Sequence, residues 1–209
     1  LTKWSNQMDK IGQHSSETEK LILSTAEKVF EHHGYNGTRM QQIADEAGIS
    51  KASLHYYFRS KDNLFQRVFE LAMDEYLPII STWYDDSLDW EEKVERYTNQ
   101  LVDFIRNGKM LFLIREINRN PDLINDRIKK AKSPNGIVAY FEKELQSGKI
   151  RQFDPRYLYL FLNSICCFPI LNKALFKKTL RLTDKQYDDF LHAHAKNVAD
   201  FFIHAIKNS

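Results

Sequence analysis

Apolar residues recur at three- and four-residue spacing along almost the whole chain, so the sequence reads as a succession of amphipathic helices. Leu1 to Ser16 is polar with isolated Trp4, Met8 and Ile11, the pattern of an arm or a loose helical lead-in. The first firm helix is expected to start at Ser16 or Thr18, to bury Leu21, Ile22, Ala26, Val29 and Phe30, and to stop at Gly34. A short helix follows. The Thr38 hydroxyl is placed to cap it, Met40, Ile43, Ala44 and Ala47 share one face, and Gly48 supplies a left-handed stop. Ser50 caps the next short helix, Lys51 to Phe58, which turns Leu54 and Phe58 inward and leaves Lys51, Ser53, His55, Tyr56 and Tyr57 for solvent and packing. A fourth helix begins at Ser60 and Lys61 and carries Leu64, Phe65, Val68, Phe69, Ala72, Tyr76, Ile79, Ile80 and Trp83. Pro78 is expected to kink or divide it near Leu77.

Helical spacing continues through Trp90, Val94, Tyr97, Leu101, Phe104 and Ile105, up to Gly108, and again from Met110 to Asn118. Asn120-Pro121-Asp122 breaks the pattern, a shorter helix with Ile124 and Ile128 leads to a turn at Ser133 to Gly136, and another helix spans Ile137 to Gln146. Asp154-Pro155 opens a helix that is apolar nearly all round as far as Phe176, which predicts burial on several sides and a bend at Pro169. Thr183 caps the last helix, whose Tyr187, Phe190, Leu191, His194, Val198, Phe201, Phe202 and Ala205 keep helical spacing. No flexible linker interrupts the series, so the domain boundary is placed inside the fourth helix. The reading is all-α: residues 1–63 form a small three-helix domain (1–16 its arm or lead-in), and residues 64–209 a larger helical domain.

Composition narrows the classes. Seven glycines and five prolines in 209 residues suit a packed helical protein. Lys+Arg 30 against Asp+Glu 28 rules out a globally basic nucleic-acid binder, so any attraction to DNA must come from placement. Placement is favourable around Lys51, where bases flank the second short helix and the acids Asp45 and Glu46 sit on the first. Cys166 and Cys167 are adjacent, poorly placed to bridge each other, and point to a reducing, cytoplasmic compartment. No signal peptide and no apolar run of membrane-spanning length is present, so no membrane partner is expected. His192 and His194, two residues apart, face different sides of a helix and cannot share a metal; no metal site, cofactor motif or catalytic signature is found. The run Arg127, Lys129, Lys130, Lys132 reads as a solvated face.

From Ile22 to about Phe69 the blocks AEKVFEHHGYNGT, IADEAGISKASLHYYF and SKDNLF, in this order, closely resemble the tetracycline-repressor (TetR) family of bacterial regulators. The rest of the chain resembles it only in its plan of helices. The resemblance implies a helix-turn-helix bound to double-stranded DNA at a palindromic operator. It places Thr38, Gln41 and Ser50 near phosphates, Lys51, Ala52, Ser53 and His55 toward base edges, and Tyr56, Tyr57 and Lys61 on the backbone. His55 stands where the family usually carries Tyr, which leaves that contact open.

The resemblance also implies a small-molecule effector, apolar or aromatic in character, in a cavity lined by Met73, Tyr76, Trp83, Tyr97, Phe104, Met110, Phe112, Phe141, Phe161 and Cys166. Taken one by one these side chains read more readily as core than as lining; the cavity is what the resemblance implies for the set. It further implies a homodimer through the last two long helices, with Phe161, Phe168, Tyr187, Phe190, Leu191, His194, Val198, Phe201 and Phe202 at the interface. The functional expectation is a repressor released by its ligand. The alternative is a DNA-binding or architectural protein of the same fold that needs no inducer.

Overall fold

The computed structural model describes residues 2–123 and 136–208, with side chains from Glu17 onward. The helix expected around Ile124 and Ile128 and the basic run from Arg127 to Lys132 lie outside the described residues. Among those residues there are ten α-helices and no strand: α1 (Thr2–Gly37), α2 (Met40–Glu46), α3 (Lys51–Tyr57), α4 (Lys61–Ser81), a 3-10 turn (Thr82–Tyr84), α5 (Trp90–Arg106), α6 (Lys109–Arg119), α7 (Gly136–Gln146), α8 (Pro155–Leu171), α9 (Lys173–Leu180) and α10 (Asp184–Ile206).

The chain forms two compact units. One comprises residues 1–73 and 112–119, the other residues 74–111 and 120–209. The first therefore runs through α4 to Met73 and includes most of α6. Its core is built from Ile22, Ala26, Val29 and Phe30 of α1, Ile43 and Ala44 of α2, Leu54 of α3 and Leu64, Phe65, Val68 and Phe69 of α4, all buried. Phe65 is the hub: its ring meets those of Phe30 at 5.3 Å, Tyr35 at 5.0 Å and Phe112 at 5.8 Å.

Two helix boundaries differ from those expected. Ser16 and Thr18 do not start a helix, because α1 is already helical from Thr2; its break is at Gly34, whose φ of 66° and ψ of 174° are non-helical. Pro78 does not divide α4. The helix runs one further turn beyond it, Ser81 Oγ donates to the Pro78 carbonyl at 2.7 Å, and the chain then tightens into the 3-10 turn.

In the second unit α5 is the central helix, packed by α8 and α10, while α7 lies against α8 and the 3-10 turn. Asp89 caps α5 in a reciprocal box with Glu92, and Thr183 caps α10 likewise with Gln186. The end of α10 is tied to the loop after α7 by Arg151 N donating to the Ile206 carbonyl at 2.8 Å.

The long apolar helix expected through Phe176 is two helices, α8 and α9, bent by 82° at Asn172. Pro169 lies inside α8 and has no N–H to offer the carbonyl of Ile165, its partner four residues back. That carbonyl is taken instead by His194 Nε2 of α10 at 3.1 Å, and the Pro169 carbonyl is taken by the Tyr187 hydroxyl at 3.0 Å. His194 and Tyr187, expected at a dimer interface, are thus buried clamps that repair a proline break inside one subunit.

Burial lowers the pKa of the His194 imidazole, while the Ile165 and Cys166 carbonyls pull the other way. Because the folded pKa lies below the unfolded value of about 6.5, the unfolded chain binds more protons as pH falls through that window, and stability is lost on acidification. The expected result is an unfolding midpoint that drops between pH 7 and pH 5, with the drop reduced in His194→Gln; an identical pH profile in that variant contradicts the assignment.

Among the described residues no single helix is long and apolar enough to cross a membrane. Cys166 and Cys167 are both free, their thiols pushed up by burial to about 12 and about 11, well outside the range of a reactive thiolate.

Candidate nucleic-acid interface

Local chemistry builds α2 and α3. At the C-terminal end of α2, Ala47 N donates to Ile43 O at 2.9 Å and Ile49 N to Ala44 O at 3.0 Å, a reversal that needs the positive φ of Gly48, 67°. Ser50 Oγ then accepts from Ser53 N at 3.0 Å and starts α3. Leu54 is fully buried and Phe58, at the C-terminal cap, is nearly so; burying two such side chains contributes roughly 3–6 kcal/mol and fixes which side of α3 faces out. Outward stand Lys51, Ala52, His55 and Tyr56, the last 82 % exposed, with Ser53 and Tyr57 half-buried beside them. Tyr56 and Tyr57 meet edge to face at 5.3 Å. Ser50 and Gln41 are exposed too, with Gln41 Nε2 donating to Asp45 at 2.7 Å.

Two of the ten DNA-facing candidates are placed differently from the other eight. Thr38 is buried, and its hydroxyl donates to the Gly34 carbonyl at 2.8 Å; Arg39, not Thr38, is the N-cap of α2. Lys61 Nζ donates to the Tyr35 and Thr38 carbonyls at 2.9 and 3.1 Å and lies 4.2 Å above the Tyr35 ring. Both residues brace the turn between α1 and α2. That turn is also held by the Tyr35 hydroxyl on Asp62, by Arg115 Nη1 on the Glu31 carbonyl at 2.7 Å, and by Arg119 Nη2 on Asn36 at 2.6 Å. Sequence reasoning passed over Arg39 and Arg59, exposed cations at the start of α2 and just after α3, because neither belongs to an apolar stripe or a capping pattern.

A prediction follows from the lysine. Lys61→Met removes two charge-assisted hydrogen bonds and is expected to destabilise the first unit by about 1–3 kcal/mol, seen in urea unfolding and in faster amide exchange at residues 34–38. The salt dependence of DNA binding is expected to stay the same; a slope shallower by about one would reassign the ammonium to a phosphate.

In the second unit the candidate effector residues separate into groups. Trp83, Tyr97 and Phe141 form one buried cluster, with Trp83 at 5.0 Å from Tyr97 and 5.2 Å from Phe141. Half-buried Tyr76 stacks on Phe104 at 5.5 Å, and burial raises the pKa of its phenol. Tyr97 donates to Asn163 at 2.9 Å, a polar contact from α5 to α8 that the sequence did not disclose. Met110 and Cys166 are buried. Met73 and Phe112 belong to the first unit, where Phe112 packs on Phe65 and Phe69. Phe161 is 43 % exposed and meets Phe153 and Tyr157 on the outer side of α8.

The interface candidates divide in the same way. Tyr187, Leu191, His194, Val198 and Phe202 are buried within the chain, Phe190 is half-buried against Phe176, and Phe161, Phe168 and Phe201 are exposed, the last two by 51 % and 64 %. Among the described residues no cluster of three metal-ligating side chains occurs.

An all-helical chain with a capped, outward-facing second helix in a two-helix unit has the form of a helix-turn-helix DNA-binding regulator. Residues 22–68 match the family described as bacterial regulatory proteins, tetR family. The HTH-type transcriptional regulator RutR of Escherichia coli K12 is 29% identical over 154 residues, 70% of this chain and 71% of RutR. The negative regulator of the icaADBC biofilm operon in Staphylococcus epidermidis, IcaR, is 22% identical over 151 residues, 70% of this chain and 77% of IcaR. A TetR-family regulator from Marinobacter aquaeolei has the same fold, with a TM-score of 0.67 at 17% identity over 94% of this chain and 99% of that one. Residues 22–68 thus carry a TetR-type DNA-binding domain, and the chain as a whole is similar to TetR-family transcriptional regulators.

Proposed function

We propose that this DNA-binding regulator acts as a cytoplasmic homodimeric repressor, reading a palindromic operator with α3 and leaving it when a small apolar or aromatic molecule occupies the helical second unit. The observation that carries the DNA reading is α3 itself: a helix anchored by Leu54 and Phe58 with Lys51, Ala52, His55 and Tyr56 turned outward. Lysine and imidazole reach acceptors and donors on base edges, and phenols donate to phosphate. Repression is supported by the likeness to IcaR, a negative regulator.

The effector reading is supported by the aromatic cluster around Trp83 and the Tyr76–Phe104 stack. A ligand moves the equilibrium only by preferring one state; a tenfold preference at each of two sites is worth about 1.4 kcal/mol apiece and weakens operator binding roughly a hundredfold. The test is to delete the gene and measure transcription beside the operator, then titrate purified protein on that DNA with a library of small aromatic molecules. Raised transcription and at least one compound that releases the DNA are expected. Lowered transcription would make the protein an activator.

A further inference from the structure

The side chain of His55 carries more information than its place on α3. Its Nδ1 lies 3.3 Å from the carbonyl oxygen of Arg59, four residues on, where the backbone leaves α3. A carbonyl oxygen only accepts, so the proton of the neutral imidazole sits on Nδ1 and Nε2 is a bare acceptor. The ring is exposed, on the same side of the helix as Lys51.

In the major groove only two groups donate to such an atom: the N6 amine of adenine and the N4 amine of cytosine. Guanine offers N7 and O6, and thymine offers O4 and a methyl group, none of which can bond to a bare nitrogen. Resting on the reading that α3 enters the groove, we infer that His55 is a specificity-determining residue that selects an amino-bearing base, adenine or cytosine, at one symmetric pair of operator positions. The backbone carbonyl of Arg59 sets this preference by fixing the tautomer. A tyrosine at the same position lacks the bare nitrogen and would present a hydroxyl that both donates and accepts, so the selection belongs to this chain's own residue.

The test is selection from randomised DNA at pH 8 with the full-length protein, His55→Lys and Lys51→Ala. The wild type is expected to favour A or C over G and T at one symmetric position by about five- to a hundredfold, the value of one hydrogen bond per half-site read twice in a dimer. His55→Lys, which can only donate, is expected to move the preference at that position to G while other positions hold. An even loss of affinity with unchanged preference would mean that His55 only ties down the Arg59 carbonyl, and would overturn the inference. If neither variant changes preference or affinity, α3 is not in the groove, and the functional reading fails with it. Nitrogen NMR of the free protein supplies an independent readout: the His55 Nε2 resonance is expected at the position of an unprotonated ring nitrogen, and a protonated Nε2 contradicts the tautomer.

Discussion

Glutamate at Phe201 and Phe168 is expected to give a folded monomer that no longer binds its operator. Phe201 is 64 % and Phe168 51 % exposed, on two helices, α10 and α8, that pack together; along α8 the exposed Tyr157, Leu160 and Phe161 extend the apolar surface. A patch of this kind marks an interaction surface, and an isologous pairing of helices supplies two recognition helices related by a two-fold axis. A monomer engages one half-site and forfeits the binding free energy of the other, so operator binding is expected to fall by a thousandfold or more, on the order of 4 kcal/mol. Phe202→Glu gives the contrast. Phe202 is buried against Phe141 at 6.1 Å, and a carboxylate there is expected to unfold the second unit instead of splitting a dimer. Sedimentation and circular dichroism separate the two outcomes; a folded dimer from Phe168→Glu/Phe201→Glu places the interface elsewhere.

Lys51→Ala combined with Tyr56→Ala is expected to weaken operator binding by about a thousandfold or more without altering the fold. Both side chains point away from the buried Leu54 and are exposed, so their removal leaves the packing of α3 intact. Each is worth about 1–3 kcal/mol if it reaches a base edge or a phosphate, and every loss counts twice in a symmetric dimer. Affinity measured by fluorescence anisotropy, alongside an unchanged melting temperature, checks this. A change below threefold would show that the outward face of α3 is merely solvated.

The helix-turn-helix was legible because its determinants are local. Gly48 is needed for a positive φ, Ser50 bonds three residues ahead, and Leu54 and Phe58 are one turn apart, so each could be read within eight residues of sequence. Thr38 and Lys61 are hard to read from sequence for the opposite reason. Lys61 meets the turn at Tyr35 to Thr38 only after α4 has packed beside α1, and a lysine bonded to backbone carbonyls looks in sequence like one free for phosphate. In the second unit, the apolar residues of α8 and α10 were evident, but their division between inside and outside was not. That division depends on which side of α8 faces α5, and on the pairing of the Pro169 break with His194 and Tyr187 across 18 to 29 residues. Hydrophobic spacing gives a stripe, and when a helix is apolar nearly all round the stripe has no edges to read.

The measurement that bears most directly on the central claim is protection of DNA selected by the purified full-length protein from a random pool. The account predicts a palindrome whose half-sites lie about 34–36 Å apart, one turn of the duplex, each protected in the major groove and each lost together in Lys51→Ala/Tyr56→Ala. Enrichment of a site without two-fold symmetry, or protection that persists in that variant, would contradict it.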